Sequence, residues 1–182
     1  MNERRTIPRR LEAPLASNRP RQSFFVLRET PCPYLPGRRE RKLVTELTGA
    51  AAKANYGDLS RAGFRRSHLF AYRPACRGCD ACVPVRVDVA RYAPGKSLRR
   101  IARRNTDLCG RMRPAVATYE QYLLFQRYLK GRHADGEMAR MGYGDYRPMI
   151  EETAAPTRMA EFRDPAGRLV GACLLDLLDD GS

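Results

Sequence analysis

Positive charge is concentrated in the first 113 residues of this 182-residue chain. That part holds 26 basic and 9 acidic side chains, whereas residues 114–182 hold 8 basic and 11 acidic ones. Basic side chains in such excess lack enough carboxylates within their own half, so most must lie on the surface. The split predicts a half that binds a polyanion joined to a half with another task. A basic surface without a partner is the alternative.

The chain has enough apolar residues for a core but no segment of membrane-spanning length. Its composition is 43% hydrophobic. The longest apolar run, residues 169–175, falls far short of the about 20 residues that a membrane-spanning helix needs. No apolar stretch follows the basic start in a way that would mark a secretory signal. We therefore expect a soluble protein of the cytoplasm.

Three of the six cysteines form one cluster. Cys76, Cys79 and Cys82 follow one another in a Cys-x-x-Cys-x-x-Cys run. Thiols in the cytoplasm stay reduced, and this spacing suits a metal ion or an iron–sulfur cluster better than disulfides. Structural cysteines without a metal are the alternative.

Alternating valines follow the cysteines. Val83, Val85, Val87 and Val89 are each separated by one residue. This period predicts a strand with one buried face. Pro84 would place it at the edge of a sheet, because proline has no N–H to donate.

An arginine-rich helix is predicted next, capped by Ser97 and running from Leu98 to about Leu108. It carries Arg99, Arg100, Arg103 and Arg104. Their i, i+4 pairs bring like charges together, which destabilises an isolated helix. A nearby phosphate backbone would reverse that effect, so we predict a face that binds nucleic acid. A solvated face without a partner is the alternative.

The second half shows the patterns of helices and a hairpin. Thr118 and Gln121 fit a capping box at the start of a helix, and a shorter helix is expected over residues 145–152. Two strands, residues 158–163 and 169–178, flank a turn. The second of them is apolar along its length, so we expect it to be buried on both faces and to have an unpaired edge.

Seven stretches of the chain carry a family resemblance. They are residues 30–38, 59–67, 71–76, 79–87, 103–105, 128–136 and 175–181. In this order they resemble the bacterial aspartate/glutamate leucyltransferases, which are relatives of the eukaryotic arginyl-tRNA–protein transferases. A lone cysteine run would be weak support, but seven ordered stretches are specific.

The resemblance implies an α+β fold with two domains. Residues 23–113 would form a small cysteine-containing N-terminal domain, preceded by a flexible basic tail over residues 1–22. Residues 114–182 would form an incomplete GNAT-type acyltransferase domain, because the family continues beyond the last matching stretch. The resemblance therefore implies either a fragment or a shortened member of the family, and the unpaired apolar edge of the last strand predicts that the chain is poorly soluble and inactive by itself.

The implied activity is the transfer of leucine from leucyl-tRNA to the N-terminal α-amine of proteins beginning with Asp or Glu, which creates a degradation signal. The partners would be an aminoacyl-tRNA and these acceptor proteins, without a membrane. The competing hypothesis is a non-catalytic, cysteine-rich RNA-binding module.

Site residues are expected from the chemistry of that reaction. An acidic acceptor side chain suits a guanidinium fork, and Arg65, Arg66 and Arg73 lie beside rigid Gly and Pro positions. Asp176, on the last strand, would position the amine or take its proton, unless it only hydrogen-bonds there. The arginines of the predicted helix would bind the tRNA.

The resemblance also bears on cofactors. In the arginyltransferase relatives, N-terminal cysteines are associated with an iron–sulfur cluster or a metal, and the matching positions here are Cys32, Cys76 and Cys79. A further ligand of the relatives is missing, because Leu35 stands at its position, and Cys82 would be the fourth thiolate. No cofactor is obligatory, since ester to amide is downhill and leucyl-tRNA is the activated donor.

Overall fold

The computed structural model describes residues 22–181, except for the side chains of residues 51–53 and 137, so the predicted tail lies outside it apart from Gln22. The elements are β1 (Phe25–Val26), β2 (Thr30–Pro31), β3 (Arg39–Glu40), β4 (Lys42–Glu46), α1 (Gly49–Arg61), β5 (Arg65–Ser67), β6 (Phe70–Pro74), α2 (Lys96–Arg104), β7 (Cys109–Pro114), α3 (Tyr119–Arg132), α4 (Tyr143–Glu151), β8 (Thr157–Arg163) and β9 (Leu169–Asp176). Helices packed on antiparallel sheets confirm the α+β class. None of the described helices is long and apolar enough to cross a membrane.

The first sheet is antiparallel, with the strand order β1-β4-β6-β5. At its centre Thr45 of β4 lies opposite Ala71 of β6, and both are fully buried. Helix α1 supplies Tyr56 and Leu59 to the same core, in which Phe64 also packs. The burial of these apolar side chains holds the helix on the sheet.

The end of α1 depends on a glycine. Gly63 has φ +85°, a conformation that other residues adopt at a cost. Its N–H donates to the carbonyl of Ser60 at 2.9 Å, and the N–H of Phe64 donates to that of Leu59 at 3.0 Å. These bonds close the last helical turn and direct the chain into β5. The chain therefore turns at Gly63, and no sequence pattern had predicted α1.

The proline-rich segment forms a closed loop between β2 and β3. The N–H of Cys32 donates to the carbonyl of Arg38 at 2.9 Å, and the N–H of Arg38 donates to that of Leu35 at 3.2 Å. Prolines fix the intervening backbone, as predicted, although Pro31 itself pairs with Arg39 in the short ladder.

The second sheet is antiparallel in the order β7-β8-β9, and α3 and α4 pack on one of its faces. Met159 of β8 is 2% exposed beneath Tyr122, Tyr146 and Ile150 of the helices. The other face carries Phe162, which is 41% exposed. The helices therefore give this sheet one covered face within residues 22–181.

Two local signals in this half are confirmed. The N–H of Gln121 donates to Thr118 Oγ1 at 3.2 Å, and Gln121 Oε1 accepts from the N–H of Thr118 at 3.0 Å, which completes the capping box. In the hairpin, Gly167 has φ +80° and its N–H donates to the carbonyl of Asp164 at 2.8 Å.

Each sheet has its own cluster of buried side chains, and the connection from α4 to β8 packs against the cluster of the first sheet. Ala154 and Ala155, which connect α4 to β8, are buried against Leu47 and Leu59 of the first sheet and its helix. Strand β7 begins at Cys109, so the second sheet takes its first strand from residues that the domain division had placed before residue 114.

The valine strand is a wrong prediction. Residues 83–88 are irregular, and Val85 is 90% exposed. Alternation alone cannot build a strand without a neighbour to pair with, and Pro84 removes a donor. A side-chain hydrogen bond attaches this segment to the end of α1 instead, because Arg86 Nη2 donates to the carbonyl of Arg61 at 3.0 Å.

The boundaries of the arginine-rich helix also differ from those predicted. Helix α2 begins at Lys96 and ends at Arg104, its N-cap is Gly95, and Ser97 makes no capping hydrogen bond. Every residue from 81 to 107 is exposed, so little tertiary packing extends the helix toward Leu108.

Strand β9 lies at the edge of its sheet among the described strands, as predicted. The expectation that it is buried on both faces is wrong, because Val170 and Leu175 are 42% and 36% exposed and Cys173 is exposed too. The strand ends at Asp176 rather than at Leu178.

Candidate functional site

Asp176, the last residue of β9, lies where the two sheets meet. Its carboxylate accepts from Arg66 Nε at 2.6 Å and from Arg66 Nη2 at 2.7 Å, one bond to each oxygen. Tyr56 Oη donates to Oδ2 at 2.7 Å. Thr157 Oγ1 lies 2.9 Å from Asp176 Oδ1 and 2.9 Å from the carbonyl oxygen of Ala155. The hydroxyl has one proton, so it donates to one of these two acceptors at a time.

These contacts keep Asp176 ionised. Burial raises the pKa of the Asp176 carboxyl, but the hydrogen bonds from Arg66 and Tyr56 outweigh burial and bring the pKa below its ordinary value. Burial and the bond to Asp176 raise the pKa of Tyr56. A carboxylate with a lowered pKa is a weak proton acceptor, so the geometry favours an anchoring role for Asp176 over that of a base.

The structure separates the three arginines that the sequence grouped for acceptor recognition. Arg66 is committed to Asp176. Arg73 lies with its guanidinium 5.1 Å from the ring centre of Phe64 and donates to the carbonyl of Ala62 at 3.3 Å. Arg65 pairs with Tyr72 across the strands, so it points to the opposite face of the sheet from Arg66.

Arg65 shares that face with the predicted metal ligands. A cavity of about 460 Å³ is lined by Cys32, Cys76, Cys79 and Cys82 together with Arg65, Arg38, Arg39, Lys42 and Tyr72. The fold therefore brings the distant Cys32 to the same cavity as the run of Cys76, Cys79 and Cys82, in a strongly basic surrounding.

The cysteines are nevertheless not arranged as a metal site. Within residues 22–181, no group of three or more His, Cys, Asp or Glu side chains is close enough to hold a metal ion. Cys76 Sγ instead accepts from the N–H of Arg41 at 3.4 Å. The thiol donors suit zinc or an iron–sulfur cluster in kind, but their positions do not fit one.

Helix α2 is the basic surface that the sequence predicted. Its five basic side chains lie on one side of the helix, opposite Leu98 and Ile101, which are each 49% exposed. Arg99 Nη1 donates to the carbonyl of Pro94 at 2.6 Å. In the described part of the chain, no carboxylate forms a salt bridge with any of the four arginines of α2, so their charge faces solvent.

A second cavity, of about 370 Å³, lies between α3, α4 and the β8–β9 hairpin. Its walls include Phe125, Tyr146, Met149, Met159 and Leu174. The sequence had marked the helix side chains here as core, and it gave no signal that an open space remains between them.

Tyr56 and Thr157 are site residues that sequence reasoning missed. Tyr56 lies in a helix that no pattern had indicated, and Thr157 begins a strand whose predicted start was one residue later. Neither has a local sequence signal, because Tyr56 stands between Asn55 and Gly57 and Thr157 between Pro156 and Arg158.

Comparison with known proteins places these features in a family. Residues 30–100 match the family model described as the N terminus of arginine-tRNA-protein transferase, and residues 120–182 match the model described as its C terminus. These two regions, in this order, are those of the arginine-tRNA-protein transferase family.

Among known proteins, the chain is similar to relatives that are each named aspartate/glutamate leucyltransferase. It is 53% identical to the protein of Gluconacetobacter diazotrophicus, over 88% of this chain and 62% of the relative. It is 51% identical to that of Rhodospirillum rubrum, over 90% and 66%, and 45% identical to that of Xanthobacter autotrophicus, over 91% and 71%. The chain belongs to the arginine-tRNA-protein transferase family, with aspartate/glutamate leucyltransferases as its relatives. It spans less than two thirds of the length of the first two.

Proposed function

We propose that the chain takes part in the transfer of leucine from leucyl-tRNA to the α-amine of proteins that begin with Asp or Glu. The carrying observation is the match to both family regions, at about half identity to relatives that bear this name. The product would carry an N-terminal leucine that marks it for degradation. Such a reaction takes place in the cytoplasm, where aminoacyl-tRNA is available.

The reaction needs no cofactor. The amine nitrogen attacks the carbonyl carbon of the leucyl ester, the C–N bond forms as the C–O bond to the tRNA ribose breaks, and the proton of the amine ends on the released hydroxyl. An α-amine has an ordinary pKa of about 7.7–8.0, so a useful fraction is neutral without a strong base. Asp176 would then anchor the site through Arg66 and Tyr56 rather than take the proton.

The donor tRNA would bind to α2 and the basic half around it. Arg99, Arg100, Arg103 and Arg104 face solvent on an exposed helix, and each phosphate contact would release counterions. On the opposite side of α2, Leu98 and Ile101 provide an apolar surface through which the helix would pack in the complex with tRNA.

The acceptor's acidic side chain would bind to Arg65. Arg65 lines the cavity that holds the four cysteines, and a guanidinium can hold a carboxylate with two parallel hydrogen bonds. Arg66 would act indirectly, by fixing Asp176, and Arg73 would support Phe64 at the end of α1.

Two finer features remain proposals. The β7-β8-β9 sheet with α3 and α4 on one face is consistent with the beginning of a GNAT-type fold, and the family regions support a division near residue 114 into a cysteine-containing part and an acyltransferase part.

A non-catalytic RNA-binding module is the second candidate. It is favoured by the continuous exposure of residues 81–107, which carry the basic helix and little packed structure. This candidate predicts tRNA binding without leucyl transfer.

A transfer assay separates the two. Radiolabelled leucyl-tRNA is incubated with a peptide beginning with Asp and, as a control, with the same peptide beginning with Lys. The chain is assayed as it is and with the C-terminal part of the Rhodospirillum rubrum relative appended. Label on the Asp peptide alone supports the transferase. Binding of tRNA without label in either form supports the module.

A further inference from the structure

We propose that the cavity between α3, α4 and the β8–β9 hairpin receives the side chain of the aminoacyl donor, and that its walls select an uncharged, apolar side chain over a cationic one. This inference rests on the proposed leucyl transfer and assigns the donor's specificity to a particular place. The cavity measures about 370 Å³, which is within the range of small-molecule sites.

The lining is uncharged. It consists of Gln121, Leu124, Phe125, Tyr128, Tyr146, Met149, Ile150, Met159, Val170, Gly171, Ala172 and Leu174. No carboxylate and no basic group is among them. Burial raises the pKa of Tyr146 to about 12, so this phenol stays neutral at physiological pH. Two methionines among the walls can adapt to the shape of a branched side chain.

The one buried amide of the cavity is already satisfied. Gln121 Nε2 donates to Glu161 Oε1 at 2.9 Å, while its Oε1 accepts from the N–H of Thr118 at 3.0 Å. Tyr128 Oη lies 3.2 Å from His133 Nε2 at the open side. The cavity therefore favours a ligand side chain of matching shape and apolar surface over one that forms hydrogen bonds.

The cavity lies next to Asp176 on the same sheet face. Leu174 and Asp176 are two residues apart on β9, so their side chains point to one face, about 7 Å apart along the strand. Their partners on β8 are Met159 and Thr157, which continue the same two rows. A donor whose side chain occupies the cavity would hold its reacting carbonyl near the junction of the two sheets.

The lining explains discrimination against an arginyl donor. A guanidinium in this cavity would lose its water without meeting a carboxylate, which is strongly unfavourable. A leucyl side chain loses only apolar hydration and gains burial. The same walls would admit methionyl and phenylalanyl groups with reduced preference, since a methylene more or less changes affinity by roughly 10- to 200-fold.

Binding is tested with methionine methyl labels and L-leucinamide, which mimics the leucyl ester but cannot be transferred. Met149 and Met159 line the cavity, whereas Met112 lies in β7, where it is 53% exposed and outside the lining. We expect leucinamide to shift the methyl resonances of Met149 and Met159 and to leave that of Met112 in place. L-argininamide should shift none of them. Equal effects of both amides, or no shift of Met149 and Met159, would overturn the proposal.

Two variants locate the site independently. Leu124→Glu places a carboxylate in the cavity, and Leu123→Glu places one on the outer side of the same helix as the matched control, since Leu123 is 49% exposed and outside the lining. We expect Leu124→Glu to weaken leucinamide binding by roughly 10-fold or more and to permit argininamide binding, with Leu123→Glu unchanged. If Leu124→Glu does not fold, Ala172→Phe fills the cavity from its exposed edge and should weaken leucinamide binding likewise.

The outcomes also separate this inference from the proposed function. Leucinamide shifts that Leu124→Glu abolishes, in a protein that transfers no leucine, support the cavity and count against the transferase. Leucyl transfer that persists unchanged in both Leu124→Glu and Ala172→Phe supports the transferase and overturns the cavity.

Discussion

Arg66 donates two parallel hydrogen bonds to the Asp176 carboxylate, from Nε at 2.6 Å and from Nη2 at 2.7 Å, and this pair joins the first sheet to the second. The two side chains are only 8% and 18% exposed. They lie 110 residues apart in the chain, one on β5 and the other at the end of β9. Nearby, Arg61 forms an exposed pair with Asp179.

The buried pair should dominate the stability of this junction. Arg66→Met removes the guanidinium that pairs with the buried Asp176 carboxylate. We expect the free energy of unfolding to fall by about 3 kcal/mol, because a buried charge then lacks its counter-charge. The double variant Arg66→Met/Asp176→Leu should recover part of that loss, because no charge then remains buried. Urea unfolding measures both. Arg61→Met, at the exposed pair, should cost under about 1 kcal/mol, and equal losses for the two arginine variants would contradict the account.

Low pH should remove the contribution of Asp176 to the stability of the folded protein. Its pKa in the folded protein is lowered, so its stabilising effect is fully present above the unfolded value of about 3.9 and is lost as the pH falls through the folded value. We expect the stability difference between the wild type and Asp176→Asn to be largest at neutral pH and to shrink below about pH 4. Because both proteins share all other carboxylates, their difference isolates this group. A difference independent of pH would contradict the lowered pKa.

Removal of charge from α2 should weaken tRNA binding in a salt-dependent way. Replacing Arg99, Arg100, Arg103 and Arg104 by Gln should reduce the slope of log affinity against log salt by about 0.7–0.9 for each lost phosphate contact. The matched control replaces Arg127, Arg132, Arg140 and Arg147, four exposed arginines of the other half, by Gln. Equal slopes for the two variants would remove α2 from the tRNA surface.

Arg65 should set the preference for an acidic acceptor. Arg65→Lys retains the charge but loses the fork, and we expect KM for an Asp-starting peptide to rise by roughly 10-fold, since a hydrogen bond to a charged group contributes about 1.5–3 kcal/mol. Arg73→Lys, on the opposite face of the sheet, should change KM little. A larger effect of Arg73→Lys than of Arg65→Lys would reverse the assignment.

The thiols provide a test for metal. Since the described cysteines do not form a ligand group, we expect all six to react with a thiol reagent in anaerobically purified protein, with exposed Cys109 and Cys173 ahead of half-buried Cys76. Elemental analysis should give iron and zinc well below one per chain. One bound metal, with four thiols protected until it is removed, would establish the site that the sequence predicted.

Local features were predictable because neighbours in the chain decide them. The capping box of Thr118 and Gln121 needs only three intervening peptide units, and the turns at Gly63 and Gly167 need only a residue that adopts positive φ. The alternation of valines over residues 83–89 is an equally clear local pattern, yet the strand that it predicted does not form. A strand needs a neighbouring strand to pair with, and a local pattern does not supply one.

The sequence by itself determined the basic half, the exposed arginines of α2, the hairpin and the family resemblance. Only the tertiary structure decided that Arg66 holds Asp176, whereas the sequence had assigned them to different tasks, and that Arg65 lies with the cysteines instead. The face of β5 on which a side chain lies depends on the register of β5 with β6. The approach of Arg66 in β5 to Asp176 in β9 depends on how the two sheets pack together. Neither is encoded in the spacing of residues, because burial of apolar surface and satisfaction of buried polar groups act between segments that are distant in sequence.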